Sequence, residues 1–349
     1  MAKARLLLAL DQGTSSTRSI VFDKTGTVVA FDQREVPTFH ERDGWAEQNP
    51  RDIWTTTVHS MTTALAKATE LGGEVVAIGI ANQRETTLLW DRETGEPAYN
   101  AILWHDRRTT ETCQRLITDG QEPLIQQKTG LLLDPYFSAT KLCWILDNID
   151  GMRKKAEKGN IVFGTVDAFL LWHLTGGFIH ASDVTNASRT SLFNIHECCW
   201  DEELLNLFNI PYGCLPEIFD SNHYFGDTDP SIFGCKLPIL GMIGDQQASA
   251  IGNACISPRS SKSTYGTGGF LMINTGTTPD KSTNRLLNTI AYRIDGQTTY
   301  ATEGSIFVAG EAVKWLRDGL EIISSSREVE HLAAIGANRD SLYLVPAFN

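Results

Sequence analysis

At 349 residues the chain exceeds what a single ordinary core supports, which predicts two domains. Its 42% hydrophobic and 21% charged content are globular values and exclude a disordered chain. A net charge of −12, with the signs interspersed, excludes a nucleic-acid or anionic-membrane partner, since either would need a basic face.

The chain opens on LLLALDQGTSSTRSIVFDKTG, Leu6 to Gly26. Leu6–Leu10, Ser19–Phe22 and Val28–Phe31 read as strands, with Asp23 to Gly26 as a turn. The first apolar run is too short for a signal peptide, and no stretch approaches the ~20 apolar residues of a membrane span. A helix is expected over Pro50–Leu71: Asn49 is a good cap, Pro50 suits the first turn, and Ile53, Trp54, Val58, Met61 and Leu65 recur at helical spacing. Gly72-Gly73 ends it, and Val75–Ala81 follows as a buried strand.

Further along, Thr86–Asp91 reads as a strand, Thr109–Thr118 and Ala139–Asn148 as helices, and Thr165 to Gly176 as a helix closed by glycine. Leu237–Met242 is a strand, and Asp245 precedes a helical QQASAIGNA. After Cys255 the pattern restarts as strand, glycine-rich turn and strand, then a strand and a helix carrying Val313, Trp315 and Leu316 on its apolar side. A last strand, Leu342–Val345, precedes the end at Asn349, and the helices expected to cover this second sheet are absent. Seven cysteines without a C-x-x-C pair predict reduced thiols in a cytoplasmic protein. The sequon at Asn186 carries no meaning there.

Four stretches carry candidate chemistry. The turn Asp11 to Thr17 lacks the lysine of a phosphate-binding P-loop and leads into a strand, not a helix. Gly13 lets a ligand approach the backbone, Thr14 and Ser15 offer donors to phosphate oxygens, Arg18 adds a positive charge, and Asp11 suits a hydrated Mg²⁺. An ordinary polar turn uses the same residue types. A second glycine-rich hairpin, Gly266 to Gly269, suggests a phosphate clamp closed from both sides of a cleft. Arg84 and Glu85 follow a buried strand, where open α/β sheets place ligands, and suit the hydroxyls of a polyol; a surface ion pair is the alternative. Asp245 suits either a helix N-cap or a general base. Trp104 suits stacking on a carbon skeleton and Tyr136 a hydrogen bond to substrate. The eight histidines show no paired spacing, so no zinc site is expected.

In this order the chain carries LALDQGTSSTRSIVFD, GWAEQNPRDIW, GIANQRETTLLWDRETGEP, ILWHDRRT, TGLLLDPYFSATKLCWILDN, GTVDAFLLWHLTGG, SDVTNASRTSLFNI, GDQQASAIGNAC and STYGTGGFLMINTG. Together they resemble the glycerol kinases of the FGGY carbohydrate kinase family, over essentially the whole chain. The resemblance implies an α/β, actin-like and ribonuclease-H-like ATPase fold with two domains around a cleft: residues 1–254 binding polyol, and residues 255–349 beginning the nucleotide domain. It implies that Arg84, Glu85, Tyr136, Asp245 and Gln246 hold glycerol hydroxyls, with Trp104 and Phe270 packed on its carbons. Asp245 would be the base and Asp11 would act through Mg²⁺. Thr14, Ser15, Arg18, Thr267 and Gly310 would bind ATP phosphates.

Members of the family continue past VPAF into a glycine-rich nucleotide segment. The second domain is therefore expected to be incomplete. Glycerol and MgATP are the expected partners, in the cytoplasm, with homo-oligomerisation left open. The alternatives are a truncated homologue that binds polyol without catalysis, and a kinase for another small polyol.

Overall fold

The structure, a computed structural model, describes residues 3–266, 268–280, 282, 284–306, 308–336 and 344–345. Its first half is built on a five-stranded sheet of β1 (Ala4–Gln12), β2 (Ser16–Phe22), β3 (Val28–Glu35), β4 (Gly73–Asn82) and β5 (Ile239–Gly244), in the order β5-β4-β1-β2-β3. β1, β2 and β3 pair antiparallel as a meander, while β4 and β5 join in parallel. Alternate leucines of β1, Leu6, Leu8 and Leu10, enter a core shared with Ile78 and Ile80 of β4 and with Ile53 and Met61 of helix α1 (Pro50–Glu70). The Asn49 side chain accepts from the Arg51 N–H, so the expected cap forms.

The register fixes where the chemistry collects. Gln12 of β1 lies opposite Asn82 of β4, and Asn82 lies opposite Gly244 of β5. Three parallel strands thus end on one line, and the residues that leave them, Gly13, Gln83 and Asp245, emerge at one sheet edge.

Several boundaries differ from the sequence expectation for identifiable reasons. Gly72, at φ 79°, ends α1, but Gly73 already belongs to β4. The strand expected over Leu237–Met242 runs Ile239–Gly244 instead. Pro238 has no N–H to give a ladder, only a carbonyl that accepts from the Ile78 N–H at 2.9 Å, so the regular strand begins after it and its pairing with β4 continues through Gly244 despite that residue's low strand preference. The expected Thr86–Asp91 strand is Leu88–Asp91, paired with Ile161–Gly164. Helices α2 (Thr110–Thr118), α3 (Ser138–Asn148) and α4 (Val166–Leu174) lie where periodicity places them.

The second sheet contains β6 (Ser261–Tyr265), β7 (Gly269–Gly276), β8 (Leu287–Ile294) and β9 (Gln297–Ile306), all antiparallel in the order β6-β7-β9-β8. Helix α5 (Asp245–Gly252) leads from β5 toward this sheet, and α6 (Gly310–Asp318) follows β9. Val313, Trp315 and Leu316 of α6 are half-buried. The strand expected at Leu342–Val345 falls largely outside the described residues.

Candidate active site

The edge formed by the ends of β1, β4 and β5 opens on a cavity of about 720 Å³. Gly13 to Ser16, Gln83 to Glu85, and Asp245-Gln246 line one wall. Phe270, Gly266, Gly268, Glu311 and Trp315 line the other, and Trp104, His105 and Tyr136 close one end.

Arg84 and Glu85 are not a surface ion pair: their side chains are 1% and 2% exposed. Glu303 of β9 accepts from both terminal nitrogens of Arg84, at 2.7 and 3.1 Å. Arg84 Nη1 also donates to Gln247 Oε1 at 3.2 Å and Nη2 to the Tyr136 hydroxyl at 3.4 Å, while Nε faces Asp245 at 3.5 Å. Glu85 sits at φ 61°, a left-handed conformation uncommon outside glycine, and its carboxylate accepts from Arg189 Nε at 2.5 Å. Arg189 in turn donates to Glu303 at 2.8 Å. The result is a buried network of two arginines and two carboxylates. Burial pushes the Glu303 carboxyl up, but Arg189 and Arg84 outweigh it and hold it at about 2.

Asp245 is the first helical residue of α5, and Gly244 occupies the cap position, so the N-cap reading of Asp245 does not hold. The Gly244 N–H donates to Thr185 Oγ1 at 2.9 Å, which ties the strand-to-helix turn to the first half. A Cβ on Gly244 would lie 2.8 Å from Arg84 Cδ, so the absent side chain is what lets the arginine lie flat beneath Asp245. The Asp245 side chain remains 34% exposed toward the cavity. Burial raises its pKa above the ordinary carboxylate range, Arg84 opposes this, and Asp11 adds a further upward push.

The aromatic wall is formed by Trp104, Tyr136 and Phe270, with Trp104 at 5.8 Å from Tyr136 and 5.9 Å from Phe270, edge to face in both cases. Lys141, fully buried, donates to the Tyr136 carbonyl at 2.7 Å and fixes that loop.

The first hairpin is short and tied at both sides. Gly13 N–H donates to Ser16 O at 3.0 Å. Thr14 Oγ1 accepts from Trp104 Nε1 at 2.9 Å and donates to Gln83 Oε1 at 3.4 Å, so this hydroxyl joins the hairpin to the aromatic wall. Ser15 is exposed at the tip, and Arg18 faces Asp11 at 3.6 Å. Burial raises the Asp11 carboxyl, with Arg18 opposing. Opposite, the Gly310 N–H donates to Gly266 O at 2.8 Å and closes the second hairpin against α6. Thr267 lies outside the described residues.

Residues 6–252 match the N-terminal domain of the FGGY family of carbohydrate kinases. The chain belongs to that family. Over its full length the FGGY chain is 56% identical to a glycerol kinase of Rhodospirillum centenum, covering 70% of that protein. It is 55% identical over 98% of its length to one from Agrobacterium fabrum, covering 68% of it. Among solved structures, Plasmodium falciparum glycerol kinase with ADP superposes with a TM-score of 0.92 at 36% identity, over 99% of this chain and 69% of that one. A gluconate kinase from Lactobacillus acidophilus, at 21% identity and a TM-score of 0.84 over 95% of this chain and 66% of that one, shares the fold. The FGGY chain therefore has the expected α/β, actin-like ATPase fold.

Of the site residues expected from sequence, Arg84, Glu85, Trp104, Tyr136, Asp245, Gln246 and Phe270 meet around one end of the cavity in this FGGY chain. Thr14, Ser15 and Arg18 also line it, with Thr14 bonded to Trp104 and Asp11 beside Arg18. Glu303, Arg189, Gln247 and Lys262 were not expected. Arg189 lies inside SDVTNASRT and Glu303 inside a regular strand, and neither has a neighbour in sequence that announces its partner. The available signal was a charged residue in an otherwise apolar or small-residue element, since such a charge must be paired.

Proposed function

We propose that the chain transfers the γ-phosphoryl group of MgATP to a terminal hydroxyl of glycerol, giving sn-glycerol 3-phosphate and ADP. The carrying observation is the convergence of a buried Arg84–Glu85 pair, an aromatic wall and a cavity-facing Asp245 at one sheet edge. Relatives named glycerol kinase, at more than half identity over the whole chain, support the same substrate.

In this reading Arg84 donates to polyol oxygens and Glu85 accepts from polyol hydroxyls. Each is pre-aligned by a partner, Glu303 for Arg84 and Arg189 for Glu85, so little order is lost on binding. Trp104 and Phe270 pack on the three-carbon skeleton. Asp245 accepts the proton of the attacking hydroxyl as its oxygen bonds to phosphorus and the bond to the ADP oxygen breaks. Thr14, Ser15, Arg18 and the second hairpin, with Thr267 and Gly310, hold the phosphates. Domains of residues 1–254 and 255–349 would supply polyol and nucleotide, respectively.

The donor set fits Mg²⁺. Among the described residues no cluster of three or more acidic, histidine or cysteine side chains could form a closed metal cage. Mg²⁺ needs only one or two carboxylates beside phosphate oxygens and water. Asp11 adds to the cost of ionising Asp245, a repulsion that a divalent cation relieves. Asp11 would hold it, and bound Mg²⁺ would neutralise phosphate charge.

The test is a panel of acceptors, glycerol, D-xylulose and D-gluconate, each with MgATP and ADP release as readout. Glycerol should give the highest kcat/KM. Preference for either sugar acceptor would overturn the substrate, and glycerol binding without ADP release would overturn the kinase reading for this chain.

A further inference from the structure

We propose that Lys262 is a positioning residue that fixes the side-chain amide of Gln246, so that the polyol site is offered an N–H donor beside the Asp245 acceptor. The proposal deepens the reading above and rests on it. Lys262 lies on β6 in the second sheet and is 6% exposed. Its Nζ donates to Gln246 Oε1 at 2.5 Å and to Thr264 Oγ1 at 2.8 Å. Burial, aided by nearby Arg84, lowers its pKa to about 8, so the group remains an ammonium at neutral pH.

An ammonium carries donors and no acceptor. Whatever faces it across a hydrogen bond must therefore be oxygen, and the orientation of the Gln246 amide follows from chemistry alone. With Oε1 held by Lys262, the group that Gln246 retains for the cavity it lines is its NH₂. Asp245, the preceding residue, presents a carboxylate that can only accept when ionised. A substrate hydroxyl between the two gives its proton to Asp245 and receives an N–H from Gln246 on its lone pair. The pair thus reads both polarities of one hydroxyl. Without Lys262 the amide is free to turn, and a carbonyl in place of the NH₂ would leave two acceptors facing that hydroxyl.

Calorimetric titration tests this, using glycerol, propane-1,2-diol and propane-1,3-diol against the full chain and its variants. Lys262→Met should weaken glycerol about tenfold, the worth of one hydrogen bond, while the diol lacking the hydroxyl that Gln246 meets weakens less than about twofold. Lys262→Arg keeps a donor and should restore glycerol binding to within about threefold of the unsubstituted chain. Gln246→Glu keeps the partner of Lys262, and hence the fold, but turns the donor into an acceptor, so it should show the same diol-selective loss.

In the Lys262→Met, Gln246→Met double variant, glycerol binding should be no weaker than in Gln246→Met alone. Equal weakening of all three ligands by Lys262→Met, unimpaired glycerol binding by Gln246→Glu, or multiplicative losses in the double variant would each overturn the assignment. Binding alone is read, so the result holds whether or not the chain turns over. Absence of glycerol binding by the unsubstituted chain would overturn the polyol reading, and this assignment with it.

Discussion

Arg84 is held by Glu303, Gln247, Tyr136, Asp245 and Glu85, and substitutions around it expose what these contacts do. Gly244 has an ordinary backbone conformation, so Gly244→Ala costs nothing in local strain; its Cβ instead collides with Arg84 Cδ. That substitution should raise KM for glycerol about tenfold, the order of one misplaced hydrogen bond, and cost about 1–3 kcal/mol in denaturant unfolding as Arg84 is pushed off its partners. Glu303→Gln removes the charge shared by two buried arginines. It should destabilise the fold by about 3–5 kcal/mol, read from urea midpoints, because two buried guanidinium groups then share one fully buried carboxylate, Glu85. Arg84 and Glu85 were legible in sequence because they leave a recognisable buried strand. Glu303 was not: it lies 219 positions from Arg84, and no period or spacing in a strand names a partner that far away.

At the scale of elements, the legible parts are those whose local signals agree. Asn49-Pro50 starts α1, its apolar positions recur every three or four residues, and Gly72 stops it. Asn49→Ala should therefore cost about 1 kcal/mol, measured by denaturant unfolding, as the loss of one N-terminal cap. β5 was misplaced by two residues because Pro238 delays its start and pairing with β4 carries it on through Gly244. The same displacement puts Asp245, read before the helix as either its cap or a base, at the first helical position, where Gly244 takes the cap. β8 was not read at all, since LNTIAYRI mixes polar and apolar residues and gains its strand partner only from β9.

For the whole molecule, buried carboxylates set opposite pH limbs. Glu303 is held at about 2 against an ordinary 4.5, so its stabilisation is complete above 4.5 and is lost as pH falls toward 2. Asp167 is raised to about 7 by burial and by the neighbouring Asp183, so the fold favours its protonated form. Its contribution is complete below the ordinary 3.8 and declines as pH rises toward about 7. Urea midpoints measured from pH 3 to pH 8 should therefore fall at both ends, and Asp167→Asn should flatten the upper decline while leaving the acid limb.

The strands of the two sheets, β8 excepted, were legible as alternating turns and β-rich runs. Two glycine-rich hairpins suggested a cleft between them, but not the ion pairs across it, such as Arg84 to Glu303, that only the folded chain brings together. The most direct test of the central claim is ADP release from MgATP by the purified chain and by Asp245→Asn, each with and without glycerol. The account predicts glycerol-dependent release that falls about 10²–10⁴-fold in the variant while glycerol binding persists. Unchanged turnover in Asp245→Asn, or release indifferent to glycerol, would contradict it.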